Sequence, residues 1–192
     1  MNKFLIFWTL VSPACFGLVF YGLRWYPSSW SPTPQHIRVS IAIYTTYWIL
    51  VGVLQAVVLL WQYQDKHLAQ RWALTTSITG TLVMLSHDVG LALTGVDARG
   101  QGALILLMSL PFLASLGGFV LGLAQYFLIR DRCRSNLAQW LAMSFVSWMS
   151  GFAAIWVSSM GNSLSILMLL IAAGTALKGW FIQRNLRALK VD

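Results

Sequence analysis

The chain has 192 residues, of which 58% are hydrophobic and 9% are charged, and its net charge of +8 comes from 13 Lys and Arg against five Asp. A soluble domain usually contains roughly 25% charged residues, so we exclude a soluble enzyme, a disordered chain and a nucleic-acid-binding domain. The basic residues occur in short clusters between long apolar runs, which is typical of a membrane protein.

Charged residues divide the sequence into runs that are long enough to cross a bilayer, for which about 20 apolar residues suffice. The first run, 4–23, is too long for the apolar part of a signal peptide, so we predict a retained helix. Further runs cover 39–63, 72–94 and 102–129. The uncharged segment 135–177 is too long for one crossing, and a turn at 160–163 divides it into spans at 137–158 and 164–182. We predict an all-α integral membrane protein in which residues 1–192 form a single domain of six transmembrane helices.

The distribution of Lys and Arg predicts the orientation of these spans. If the N-terminus is cytoplasmic, ten of the 13 basic residues lie on the inner side, and the positive-inside rule then places both termini in the cytoplasm. The inner residues are Lys3, Lys66, Arg71, Arg130, Arg132, Arg134, Lys178, Arg184, Arg187 and Lys190, and the outer ones are Arg24, Arg38 and Arg99. Four tryptophans at the inner ends of spans, Trp61, Trp72, Trp140 and Trp180, predict an interfacial aromatic belt.

Spans two and three resemble spans four and five. The sequence GVLQ at 52–55 corresponds to GLAQ at 122–125, and each is followed by a basic turn. The motifs LAQRW at 68–72 and LAQW at 137–140 then open the next helix. Two hairpins with the same orientation predict a parallel internal repeat about an axis along the membrane normal.

These motifs resemble a group of multi-pass membrane proteins frequent in cyanobacteria, whose repeats carry a small-residue helix, a Gln, a Leu-Arg pair and a Trp-opened helix. The Gly-rich helix 174–184, which ends in Arg, is similar to the end of those proteins. The chain departs from the pattern at 61–63, where WQY replaces the Leu-Arg pair. The resemblance implies a bacterial plasma or thylakoid membrane and proximity to photosynthetic complexes, with no established activity.

A second resemblance concerns the sequence WYPSSWSPTP at 25–34, which is similar to the first loop of the tryptophan-rich sensory proteins, a group that binds porphyrins. Those proteins have five spans and a later helix rich in Trp and Asn, for which this chain has no counterpart. We favour a rigid, Pro-rich outer loop with interfacial aromatic residues.

Two neighbouring residues of the third span are candidates for binding an ion or a ligand. Asp88 is the only carboxylate within a predicted span, and an ionisable group in a membrane is costly enough to suggest ion or proton binding. The structural alternative is pairing with Arg38 or Arg99 near the outer surface. His87 could ligate a chlorophyll magnesium, could ligate a haem iron together with His36, or could simply hydrogen-bond to a neighbouring helix. No metal site and no resident cofactor are predicted beyond this chlorophyll or haem possibility.

Two glutamines and a small-residue face are the other candidate features. Gln55 and Gln125, which are equivalent in the repeat, could form interhelical hydrogen bonds or line a polar path, with the hydroxyl groups of 75–81 as partners. Ala114, Gly118 and Gly122 recur at every fourth position and predict a packing face for a helix of this chain or of another protein.

The sequence favours a non-catalytic accessory, assembly or scaffold subunit of a larger membrane complex, since catalytic motifs are missing and small-residue faces suit packing. We do not expect an enzyme. A small-solute or ion transporter or channel is the alternative, because a parallel repeat can build a symmetric site. A pigment- or porphyrin-binding membrane protein is the second alternative. The expected partners are the lipid bilayer and other membrane proteins or further copies of the chain, with no nucleic acid.

Overall fold

The structure, a computed structural model, describes residues 2–21, 34–94, 116–159 and 164–186. Within these ranges the chain is helical and contains no strand, which confirms the predicted all-α class. One isolated antiparallel bridge joins Cys133 to Leu186. The predicted turn at 160–163, most of the loop at 25–34 and the first part of the fourth predicted span lie outside the described residues.

The helices alternate in direction along the chain. They are α1 (Lys3–Phe16), which continues as a π-helix (Gly17–Tyr21), α2 (Pro34–Tyr63), α3 (Lys66–Thr94), α4 (described over Leu116–Ile129), α5 (Leu137–Ser159) and α6 (Leu164–Asn185). The shortest of α2, α3, α5 and α6 has 22 residues, so each reaches about 33 Å or more. Helix α3 begins at Lys66, ahead of the predicted start at Trp72, because hydropathy identifies only the apolar part of a helix.

Polar residues begin three of these helices. Asn2, Asp65 and Asn136 precede α1, α3 and α5, and the side-chain oxygen of each accepts a backbone N–H of the first turn. Asn136 and Gln139 form a reciprocal capping box, with bonds of 2.9 and 3.3 Å. The chain reverses between α2 and α3 through Gln64, which adopts the left-handed conformation with φ of 55°. Short polar sequences thus fix where the chain turns back.

All these caps lie at one end of the helix bundle, which we call the basic end. Here α1, α3 and α5 begin and α2, α4 and α6 end, and the exposed side chains include Lys66, Arg71, Arg130, Arg134 and Arg184. Helices α2 and α3 form one packed pair, α5 and α6 form another, and α1 packs against both α2 and α6. These five basic side chains are therefore gathered at one end of the bundle.

Three fully buried tryptophans form the core beside the basic end. The ring of Trp72 lies 5.9 Å from that of Trp8 and 6.5 Å from that of Trp140, centroid to centroid, and both contacts are edge-on. The predicted aromatic belt is therefore wrong for Trp72 and Trp140, which are 0% and 1% exposed. Trp61 and Trp180 are 48% and 44% exposed and can occupy an interface. Position along a helix indicates depth, but it does not indicate which side of the helix faces the core.

Two helical segments in the described part of the chain, Ile41–Tyr63 and Ser165–Asn185, are long and apolar enough to cross a membrane. Lys3–Val19 and Leu116–Ile129 are shorter apolar helices. The number of six spans stays a prediction.

Candidate functional site

A chain of polar side chains crosses the interior from α3 through α4 to α6. Nε2 of Gln125 donates to Oγ1 of Thr76 at 2.9 Å, and Nζ of Lys178 donates to Oε1 of the same glutamine at 2.6 Å. Gln125 and Thr76 are each 1% exposed. Both polar atoms of the Gln125 amide are therefore engaged inside the bundle, by helices that are far apart in sequence.

Lys178 is the unexpected member of this chain of contacts. A lysine one or two turns from a helix end usually extends its side chain outward, but Nζ of Lys178 points inward and lies 5.9 Å from the ring centroid of Trp140. The ion pairs among the described residues join Arg130 to Asp131 and Arg132 to Asp65, so Lys178 has an amide and an aromatic face as partners. Burying an amino group beside neutral partners is costly, which makes this position a candidate site.

Gln55, which the predicted repeat aligns with Gln125, has a different partner. Its Oε1 accepts the indole N–H of Trp72 at 3.0 Å. In the second hairpin the indole N–H of Trp140 instead donates to the backbone carbonyl of Gly122, at 2.8 Å. Because Trp140 uses a carbonyl, Gln125 is left to bind Thr76 and Lys178. The two glutamines predicted from the sequence are thus both interhelical bonding groups, and only Gln125 contacts an ionisable residue.

A pair of stacked indoles joins the two hairpins deeper in the bundle. The rings of Trp48 and Trp148 lie 5.2 Å apart and are inclined by 8°. Trp48 also packs on Gly80, and Trp148 packs on Gly118, where a Cβ atom would lie 3.0 Å from Cβ of Trp148. Aligning Gly52 with Gly122 also aligns Trp48 with Gly118, one turn earlier. Aligning Trp72 with Trp140 also aligns Gly80 with Trp148. Each hairpin therefore contains one Trp and one Gly on opposite helices.

The predicted packing face on α4 contacts α5 of the same chain. Gly118 adjoins Trp148, and a Cβ atom on Gly122 would lie 2.6 Å from Cβ of Ser144. Ala114 lies outside the described residues. Close approach of α4 and α5 is what brings Trp140 within hydrogen-bonding distance of Gly122.

The two turns at the basic end are joined through Asp65. One carboxylate oxygen caps α3 by accepting the backbone N–H of Leu68 at 2.9 Å, and the other accepts a hydrogen bond from the Arg132 guanidinium in the α4–α5 turn. Burial alone would raise the pKa of this carboxyl, but the hydrogen bonds from Leu68 and Arg132, with the charge of Arg132, outweigh it and lower the pKa of Asp65. No sequence motif indicated this ion pair, because its members are 67 residues apart.

Asp88 and His87 occupy the last turns of α3, far along the helix from the basic end. Their side chains lie outside what the structure describes, so ion binding at Asp88 and pigment or haem ligation by His87 stay predictions.

Comparison of the chain with protein-family models, with curated proteins and with solved structures finds no match. The resemblance to the cyanobacterial group therefore stays a prediction.

Proposed function

We propose that the chain is a multi-pass integral membrane protein that crosses the bilayer six times with both termini in the cytoplasm. In this proposal it serves as a non-catalytic accessory, assembly or scaffold subunit that packs beside other membrane proteins. The membrane in question is a bacterial plasma membrane or, as the family resemblance implies, a thylakoid membrane.

The outward surface of the helices supports a membrane location. In the apolar windows of Ile41–Tyr63 and Ser165–Asn185, 44% and 33% of the residues are buried. The core helix of a soluble protein would be mostly buried, whereas here large apolar side chains face outward. Examples are Leu74, Ile78 and Leu82 on α3, each more than half exposed. In water such a surface would drive aggregation, and in a bilayer it contacts lipid tails or partner helices.

The polar interior supports a scaffold role, and the bonding of Gln125 is the observation that carries it. The amide groups that could have lined a transport path bind Thr76, Lys178 and Trp72. Interhelical hydrogen bonds of this kind contribute about 1 kcal/mol each in membrane bundles. These groups therefore stabilise the helix arrangement, and the exposed apolar faces are left for association.

Extraction and co-purification test this proposal. The chain should remain in the membrane fraction after alkaline carbonate washing, dissolve only with detergent, and purify in mild detergent together with a fixed set of membrane proteins. Recovery of the folded chain from the soluble fraction would contradict the membrane assignment. Purification of the chain alone from crosslinked native membranes would contradict the scaffold role.

One observation favours transport as a second candidate function. The amino group of Lys178 faces the interior with no carboxylate among its described partners, and intramembrane ionisable residues often mark ion or proton pathways. In proteoliposomes, solute or proton flux that is abolished by Lys178→Met and retained in the surface variant Arg71→Gln would establish transport. Absence of flux in the wild-type chain would exclude it for the solutes tested.

A further inference from the structure

A groove of about 640 Å³ runs along the outside of the bundle between α5 and α6, next to the basic end. Gln139, Arg184 and Asn185 lie at its basic end, and Met143, Val146 and Trp180 are among its other lining residues. Gln139 belongs to the first turn of α5, whereas Arg184 and Asn185 belong to the last turn of α6. The lining is therefore polar at the basic end and apolar farther along α5.

From this gradient and from the charge of Arg184 we propose that the groove binds one anionic phospholipid of the cytoplasmic leaflet. The phosphate lies at Arg184 and an acyl chain lies along Met143 and Val146. This inference rests on the membrane location and orientation proposed above, because the membrane location places the polar end of the groove at the level of lipid headgroups and the orientation places it in the cytoplasmic leaflet. It adds to that proposal a ligand and the residues that bind it.

Arg184 is suited to a phosphate group. Its guanidinium lies 5.0 Å from the ring centroid of Trp180, a cation–π contact that orients the side chain at the mouth of the groove. Neither ion pair in the described part of the chain involves Arg184. The planar guanidinium can therefore donate two parallel hydrogen bonds to phosphate oxygens, which is the geometry that arginine favours for this group.

Two amides at the same end can complete the headgroup site. Oε1 of Gln139 accepts the N–H of Asn136 in the capping box, which leaves its NH2 group available to donate. Nδ2 of Asn185 donates to the carbonyl of Phe181 at 2.9 Å, which leaves its carbonyl oxygen available to accept a headgroup hydroxyl. A glycerol headgroup supplies both a phosphate and hydroxyl groups, so we expect phosphatidylglycerol to be preferred over phosphatidylcholine.

Native mass spectrometry of the full-length chain in mild detergent tests the proposal. Phosphatidylglycerol and phosphatidylcholine with identical acyl chains are added separately, and the lipid-bound fraction is measured. We expect the wild-type chain to retain one phosphatidylglycerol in preference to phosphatidylcholine. Arg184→Gln should weaken phosphatidylglycerol retention roughly fivefold, the equivalent of about 1 kcal/mol for one basic side chain at an anionic lipid. The loss should be smaller for phosphatidylcholine, because its choline cation offsets the charge of the phosphate that Arg184 binds.

Two further variants separate the parts of the site. Arg71→Gln removes an exposed cation from the same end of the bundle but outside the groove, and it should retain the lipid like the wild type. Val146→Trp fills the apolar part and should lower retention of both lipids. Equal retention of the two lipids by the wild-type chain, or equal loss in the Arg184 and Arg71 variants, would overturn the proposal.

Other possible occupants of the groove would give different results. Displacement of the bound lipid by an excess of inorganic phosphate would identify a simple anion site and overturn the lipid assignment. A dimer that disappears in Val146→Trp, with no lipid retained by the wild-type chain, would identify the groove as an interface between copies. Recovery of the folded chain without detergent would contradict the membrane location itself. A chain that needs detergent but shows no lipid preference would contradict only the lipid site.

Discussion

Gln125 has two bonds of different character within a closed interior. Its amide N–H donates to the hydroxyl of Thr76, and its carbonyl oxygen accepts from the amino group of Lys178. A hydrogen bond that involves an ionisable group contributes more than a neutral one, and an unpaired polar partner retains its full desolvation cost. The stability of the bundle should therefore be more sensitive to Gln125 than to the equivalent Gln55, which accepts a single indole N–H.

We predict that Gln125→Leu lowers the free energy of unfolding by about 2 to 3 kcal/mol, because it leaves Lys178 and Thr76 without their partner. Gln55→Leu is the matched control and should cost about 1 kcal/mol, since it removes one neutral acceptor. Thermal unfolding in mild detergent measures both. Lys178→Met in the Gln125→Leu background should restore most of the loss, and additive losses in the double variant would contradict the coupling.

Asp65 gives the basic end a defined response to acid. Because its folded-state pKa is depressed, its contribution to stability is present above the ordinary Asp pKa of about 3.9 and is lost as the pH falls through the folded value. Asp65→Asn keeps an effective N-cap but removes the charge that Arg132 binds. We predict a lower melting temperature than wild type at pH of about 7 and no difference once the wild-type carboxyl is protonated.

The control for this prediction is Asp131→Asn, because the Asp131 side chain is 88% exposed where it pairs with Arg130. Melting temperatures between pH of about 3 and 7 should follow the wild-type curve in this variant. If both Asp variants lose the same stability at neutral pH, the ion pair of Asp65 has no special role.

The sequence predicted some of these residues and not others, for a physical reason. Gln55 and Gln125 stand out because an amide in an apolar run requires a hydrogen-bonding partner. Lys178 was counted only among the inner basic residues, since distance from a helix end says nothing about the direction of a side chain. Asp65 and Arg132 lie in separate turns, and only tertiary packing brings the two turns together.

At the scale of the helices, the stacked Trp48 and Trp148 determine how the two hairpins meet. The two rings stack on each other, the Trp48 ring also packs against Gly80, and Cβ of Trp148 packs against Gly118. A Cβ atom on Gly80 would overlap the ring of Trp48, and the same ring stacks on Trp148 of the second hairpin. The absence of a side chain at Gly80 therefore leaves room for the ring that joins the two hairpins.

We predict that Gly80→Ala destabilises the protein by about 1 to 3 kcal/mol through overpacking, despite the higher helix propensity of Ala. In a Trp48→Ala background the same substitution should be neutral or stabilising by up to about 1 kcal/mol, because only the propensity gain remains. Thermal unfolding of the four proteins in this cycle gives the interaction energy. Equal effects of Gly80→Ala in both backgrounds would show that the Trp48 ring does not restrict this position.

The helical class followed from the predicted membrane location, since a run of about 20 apolar residues satisfies its backbone groups in lipid by forming a helix. The ends of the helices were less predictable. Hydropathy placed the start of the third helix at Trp72, but the Asp65 cap begins α3 at Lys66. The side of each helix that faces the core also escaped prediction, because apolar residues lie on the exposed as well as the buried sides of these helices.

At the scale of the whole molecule, the two native cysteines allow a test of orientation. Cys15 is 2% exposed in α1, whereas Cys133 is partly exposed in the α4–α5 turn at the basic end. We predict that a membrane-impermeant thiol reagent labels the chain in inverted membrane vesicles and not in intact spheroplasts. Cys133→Ser should abolish this labelling and Cys15→Ser should retain it. Labelling of Cys133 in intact spheroplasts would reverse the proposed orientation.

The residues that form the interior contacts are far apart in sequence, and this has a consequence for biosynthesis. Asp65 meets Arg132 67 residues later, and Gln125 meets Lys178 53 residues later. At a synthesis rate of about 5 to 20 residues per second, the later residue of each pair is synthesised roughly 3 to 13 seconds after the earlier one. During that interval the early helices expose groups that will later be enclosed. A chain that stops before α6 therefore lacks the Lys178 donor for the carbonyl oxygen of Gln125, and α6 is the segment that completes this buried contact.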